Sequence, residues 1–268
     1  MKGRMPLLIA AAAAFTLCLS LPVIVVEQIT GLWGILERAT DDYLKLLASS
    51  PTAVSIYEWA QSYPNQGNLN FSVATWLFLL LVPGPLTLGL STVFLRVLRG
   101  QDTYADMVFS GFGNFVRAMF LNLIRTVFIA LWSILFVIPG IIAYYRYNIA
   151  FFLLADNPEM SPFTAISLSK YYMRENKGNR FVLDLTFIGW FIVASIAMSL
   201  ISGMVADIID ASGTTVTFFI SQLITCIVGA VVMAPVFAYR GIAAAEYYHR
   251  VICRDPASFK DPLKLPDA

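Results

Sequence analysis

Ionisable side chains set inside apolar sequence are where this chain could do chemistry. Arg146 stands in the run IIAYYRYNIAFFLL with Tyr147 and Asn148 beside it, while Arg125 and Asp184 lie within two other apolar runs. Such groups are expensive at membrane depth, so each is a functional suspect. Arg146 would serve an anion or headgroup site framed by Tyr144, Tyr145, Tyr147 and Asn148. Its structural alternative is satisfaction by backbone carbonyls freed near Pro139-Gly140. Arg125 and Asp184 should sit at similar depth near the cytoplasmic side and are expected to pair, with ion coupling or snorkelling to water as the other outcomes. Catalytic chemistry has less to stand on. Glu246 and His249 share a helical spacing but have no nucleophile, and Ser167 and Ser169 have no nearby base. The sequence has no P-loop, GxSxG or HExxH motif. With one histidine and three cysteines without a CxxC, it offers no metal-ligand pattern either. Cys18 and Cys226 read as small buried hydrophobes. No enzyme, cofactor, metal or catalytic residue is expected.

The elements that must position these residues are membrane helices. The 268 residues are 58% hydrophobic and 13% charged, with a mean hydropathy of +0.72. Soluble domains carry about 25% charged residues. Apolar runs of about 20 residues, enough for a hydrocarbon core of about 30 Å, recur without the alternation of barrel strands. The expected fold is all-α, a single polytopic helix bundle over 1–268, with spans at 6–26, 71–95, 118–138, 141–155, 181–204 and 216–239. The first imitates a secretory signal but shows no A-x-A cleavage pattern, and it reads as a retained span. Pro83-Gly84 and Pro139-Gly140 should kink or break their helices. The 141–155 run is short and should lie tilted inside the bundle. Between the first two spans, 27–70 reads as an acidic, amphipathic loop with a helix through Leu32–Leu47, resting against the membrane surface. Ser161-Pro162 should cap and open a helix in the basic 156–180 segment.

Charge orients this bundle. Lysine and arginine collect in cytoplasmic loops. With the N-terminus inside, six crossings put Arg96, Arg99, Arg117, the Lys170–Arg180 group and the 240–268 tail in the cytoplasm. The outer side keeps Glu27, Glu37, Asp41, Asp42, Glu58, Asp207 and Asp210 with only Arg38 and Lys45. A five-span threading would strand the basic group and tail outside, at about 1 kcal/mol per cation removed from an anionic leaflet. Lys170, Arg174, Lys177 and Arg180 should therefore contact anionic lipid. A net charge of +1 gives no reason to expect nucleic acid.

A series of short motifs resembles a known family: Gly84-Pro85, SGFGNF at 110–115, Leu131-Trp132, IPGII at 138–142, Tyr147 and LADNP at 154–158, followed by Ala165, Ile166, Ser169, Met173, Lys177 and FIGW at 187–190. Pro235, Ala243, Ala245 and Tyr247-Tyr248 continue the likeness. Together they resemble an uncharacterised bacterial family of integral membrane proteins, the domain of unknown function numbered 975, over roughly residues 70–250. Glu175 and Gly178 depart from the family's glycine and tryptophan. The resemblance implies a multi-span protein of the bacterial plasma membrane and carries no activity with it. Two function classes follow. One is a non-enzymatic accessory or lipid-interacting protein in envelope organisation or stress response, with protein partners or a second copy of itself. The alternative is a small-solute or ion transporter with a broken-helix site around Arg146.

Overall fold

Proline placement decides where several helices of this chain begin. The computed structural model describes residues 4–30, 41–49, 52, 55, 56, 58, 59, 75–209 and 215–254. Helix α1 is Met5–Thr30. Residues 75–81 are helical, a bend falls at Val82, and α2 (Pro83–Leu98) starts with proline at its first position. A missing N–H there removes a donor that would be unpaired anyway. A 3-10 stretch, Ala105–Asn114, leads into α3 (Phe115–Leu135). Next come α4 (Val137–Arg146) and the short α5 (Ala150–Asp156). In α6 (Pro162–Tyr172), proline again opens the helix and the Ser161 hydroxyl accepts from the Thr164 N–H at 3.2 Å, the expected cap. Two long helices, α7 (Lys177–Ile209) and α8 (Thr215–Arg254), complete the chain. There is no β-strand among the described residues.

Among the described residues, six helical segments are long and apolar enough to cross a membrane: Met5–Val26, Thr75–Leu98, Ala105–Leu135, Val137–Asp156, Lys177–Val205 and Ile220–Cys253. The chain is a multi-pass α-helical membrane protein. Exposed Leu131, Trp132, Ile134, Ile138, Ile192, Val193 and Val231 give it an apolar exterior compatible with contact to lipid.

Pro139-Gly140 behaves differently from the expected helix break. Helix α3 stops earlier, at Leu135, and the chain reverses through an extended Phe136 (φ −161°, ψ 153°). Pro139 then falls in the first turn of α4, where no intrahelical donor is lost. Gly140 lets the start of α4 lie on the end of α3, since a Cβ there would come 2.9 Å from Ser133 Cα. Helices α4 and α5 carry the chain back. The segment Val137–Asp156 is the most enclosed of the six, with 56% of its apolar window buried against at most 44% elsewhere, which agrees with an interior position.

Two apolar clusters hold the helices together. Leu8, Ala11 and Ala12 of α1 meet Leu86, Val93 and Phe94 of α2, Ile149 and Leu153, and Ala234, Ala238 and Tyr248 of α8. Leu88, Ala118, Leu121, Ala143, Tyr147, Phe151, Leu154 and Ile166 form the second. Helix α2 and the 3-10 stretch approach backbone to backbone, because a Cβ on Gly89 would overlap the Val108 carbonyl.

Hydrogen bonds tie several chain segments to one end of the bundle. Arg4 donates to the carbonyls of Gly100 and Gln101, Arg117 to the Pro158 carbonyl, Tyr248 to Asp156, and Tyr247 to the Asn176 carbonyl. Residues 41–48 are helical. The remainder of the amphipathic helix expected over 32–47, most of the 27–70 loop, and tail residues 255–268 lie outside the described residues.

Candidate functional site

The ionisable groups of three helices converge inside the bundle. Arg180 and Asp184 are one turn apart on α7, so they share a face, and their side chains pair at 3.3 Å. From α8, Arg240 grips the same carboxylate with a fork, Nε to Oδ1 at 3.0 Å and Nη2 to Oδ2 at 3.3 Å. Its Nη2 also donates to the Tyr144 hydroxyl of α4 at 3.1 Å. Arg180 donates from Nε to Asn148 Oδ1 at 3.1 Å and lies 5.8 Å from the Tyr247 ring centre. Arg125 of α3 reaches the group through rings, 5.5 Å from Tyr144 and 5.7 Å from Phe151.

Two guanidiniums thus meet one carboxylate, and a third, Arg125, lies against rings beside them. Arg180 is only 2% exposed, and Arg180 Nη1 and Arg125 Nε are enclosed without an acceptor among the described residues. Taking an ion out of water costs several kcal/mol even after relaxation. A ring face returns about 0.5–2 kcal/mol, and one carboxylate neutralises one cation. The cluster is left electropositive. A cavity of about 210 Å³ lies between α2, α3, α4, α5, α7 and α8, lined by Thr87, Ser91, Arg125, Tyr144, Asn148, Arg180 and Arg240 among others. That is several times the ~30 Å³ share of a water molecule. Tyr144 also borders an apolar groove of about 440 Å³ with Ile129, Val137, Ile141 and Phe181. At 1.5 Å per residue, Arg180 lies about 5 Å and Asp184 about 10 Å along α7 from Lys177 at its start. The cluster is therefore close to the cationic end of the bundle.

Residues 133–255 match the family model described as protein of unknown function (DUF975). Over this segment the chain is similar to that family. It is the family its motifs resemble, and the matched segment holds every member of the cluster except Arg125. No curated protein and no solved structure matches the chain.

The expected polar residues separate into two groups. Asn148, Arg125 and Asp184 come together, but Arg125 and Asp184 do not form the expected ion pair. Arg180 and Arg240 occupy that carboxylate instead, because they reach it from its own helix and from the neighbouring α8. Arg146 does not line the cavity. It closes α4, and its main-chain carbonyl accepts the Ser169 hydroxyl at 2.8 Å. Tyr147 is buried with its ring 5.8 Å from Phe128, as a packing residue.

The four cations grouped for lipid contact also divide. Arg174 is exposed, Lys177 and Lys170 are half-buried, and Lys170 lies 5.9 Å from the Phe128 ring. Arg180 is no surface residue: Asp184, one turn along the helix, holds it inside. Arg240 was expected to begin the polar tail, yet α8 continues through it to Arg254. Small residues at Ala238, Ala244 and Ala245, all buried, continue the helical face of Ala234 and are the signal for that continuation.

At the cationic end, three arginines each have an acid of their own. Arg99 meets Asp156 at 2.7 Å, Arg117 meets Glu159 at 3.1 Å, and Arg250 meets Glu246 at 2.9 Å. The hydrogen bond to Asp156 raises the Arg99 guanidinium above its ordinary value.

Proposed function

We propose that this chain is a non-enzymatic, lipid-interacting protein of a bacterial plasma membrane, with its cationic end on the cytoplasmic side. One observation carries the reading. Arg4, Arg99, Arg117, Arg174, Lys177 and Arg250 come from separate stretches of sequence and gather at one end of a bundle whose flanks are apolar. Cations in that position attract the anionic cytoplasmic leaflet, at about 1 kcal/mol each, and set orientation by the same bias. Proximity of the buried cluster to this end supports a role at headgroup depth. Arg146, on which a transport site would have centred, is not part of the cluster.

The reading is tested by thermal unfolding of the full chain in nanodiscs of phosphatidylcholine alone and with phosphatidylglycerol added. Greater stability in the anionic bilayer is expected, reduced when Lys170, Arg174 and Lys177 are all changed to Ala. Equal stability in both bilayers would defeat it. Sidedness is read by labelling a Glu175→Cys variant in a background without Cys18, Cys226 and Cys253. Protection from the external medium in whole cells is expected, and labelling from outside would invert the map.

A further inference from the structure

We propose that the cavity between Arg125, Arg180 and Arg240 is a binding site for a phosphate-type oxyanion at headgroup depth. For the source of that anion, the proposal rests on the lipid-interacting reading; for the site itself, it rests on charge and geometry. Asp184 offsets one of three positive charges, so two are unbalanced among the described residues. Two N–H groups of these same arginines have no acceptor. Burial without a counter-charge is what a bound anion would relieve.

The arrangement also selects the kind of anion. Guanidinium forks match carboxylate and phosphate oxygens. Here the guanidiniums come from three helices, α3, α7 and α8. The Arg240 fork is held on Asp184, so Arg125 Nε and Arg180 Nη1 are the N–H groups open to an anion. A planar carboxylate presents its two oxygens on one side. A tetrahedral phosphate presents oxygens to several donors at once. Asn148 and Tyr144 are already engaged by Arg180 and Arg240, which holds those forks in place. The apolar groove that shares Tyr144 with the cavity offers room for an acyl chain beside the headgroup, which makes a phospholipid the natural source. Free inorganic phosphate has the same headgroup chemistry and needs no groove.

The experiment uses delipidated full-length protein in a neutral detergent. Its unfolding midpoint is followed as inorganic phosphate is added, against sodium chloride at matched ionic strength, and again in phosphatidylcholine nanodiscs with and without phosphatidylglycerol. At about 100 times the dissociation constant, the midpoint should rise by about 5–10 °C. A rise with inorganic phosphate identifies a free anion, and a rise with the anionic lipid alone identifies a headgroup. Arg125→Met should weaken binding at least about tenfold, the loss of one charge-assisted hydrogen bond. Arg125→Lys, which keeps the charge without the fork, is the second variant should the first not fold, and it too should weaken binding. The Lys170, Arg174, Lys177 alanine variant should retain the cavity response. No rise in either arm for the wild type, or a rise undiminished in Arg125→Lys, would overturn the site. A phosphate response without any preference for anionic bilayers would leave the site standing and sink the lipid reading. A bilayer preference lost only in the lysine–arginine variant would do the reverse.

Discussion

The cationic end of the bundle and its interior handle arginine in opposite ways. At the end, Arg99, Arg117 and Arg250 each have a separate acid within 3.1 Å. Inside, Arg180 and Arg240 share Asp184, and Arg125 beside them has no acid among the described residues. Water and salt screen the Arg117 and Arg250 pairs, which contribute little, whereas Arg99 meets a largely enclosed Asp156. The interior set is shielded from solvent, where a surplus charge keeps its full consequence. Pairing is thus one to one for the three arginines at the end and incomplete for the interior set.

Removing the shared acid should have the largest effect. Asp184→Asn leaves three guanidiniums with no carboxylate and should destabilise the chain by about 3–5 kcal/mol, the range for breaking a buried pair. Thermal unfolding in neutral detergent measures it, and a change close to zero would mean that the interior is already balanced some other way. Adding Arg240→Met to Asp184→Asn removes a cation together with its partner. The double variant should recover at least about 1 kcal/mol, the non-additivity of groups in one network. Simple addition of the two losses would show that they act independently.

Arg99→Ala comes next, at about 1–3 kcal/mol, because Asp156 is largely enclosed and keeps only the Tyr248 hydroxyl, now at 2.8 Å. Arg250→Ala should fall within about 0.5 kcal/mol, since its one-turn pair with Glu246 is open to water. Denaturation at low and high salt sharpens the contrast. The Arg250 increment should vanish at high salt, whereas the Asp184 loss should persist.

Much of this fold can be read from apolar run length, because a bilayer imposes it. Six helical segments, the enclosed α4–α5 return and the Ser161-Pro162 helix start all follow from hydropathy and capping chemistry. Pro139 shows what such reading misses. Proline forbids a helix interior but accepts a first turn, so the same residue marks a helix end or a helix start, and only packing on Ser133 decides. The cluster was half legible. The one-turn spacing of Arg180 and Asp184 is visible in sequence, yet Arg180 follows three cations at the bundle's edge and was grouped with them. Arg240 was hidden for a related reason. A charge after an apolar run looks like a membrane boundary, and only the small residues Ala238, Ala244 and Ala245 mark that α8 carries it past Asp184 on α7. Arg146, the most conspicuous arginine in sequence, ended beside the cluster because its helix closes one residue before Tyr147 turns inward.

A density map of the wild-type protein in nanodiscs containing phosphatidylglycerol tests the unbalanced interior most directly. Tetrahedral density is expected in the cavity, with oxygens about 2.7–2.9 Å from nitrogens of at least two of the three arginines. A cavity holding water alone, or closed by all three guanidiniums folded onto Asp184, would contradict it.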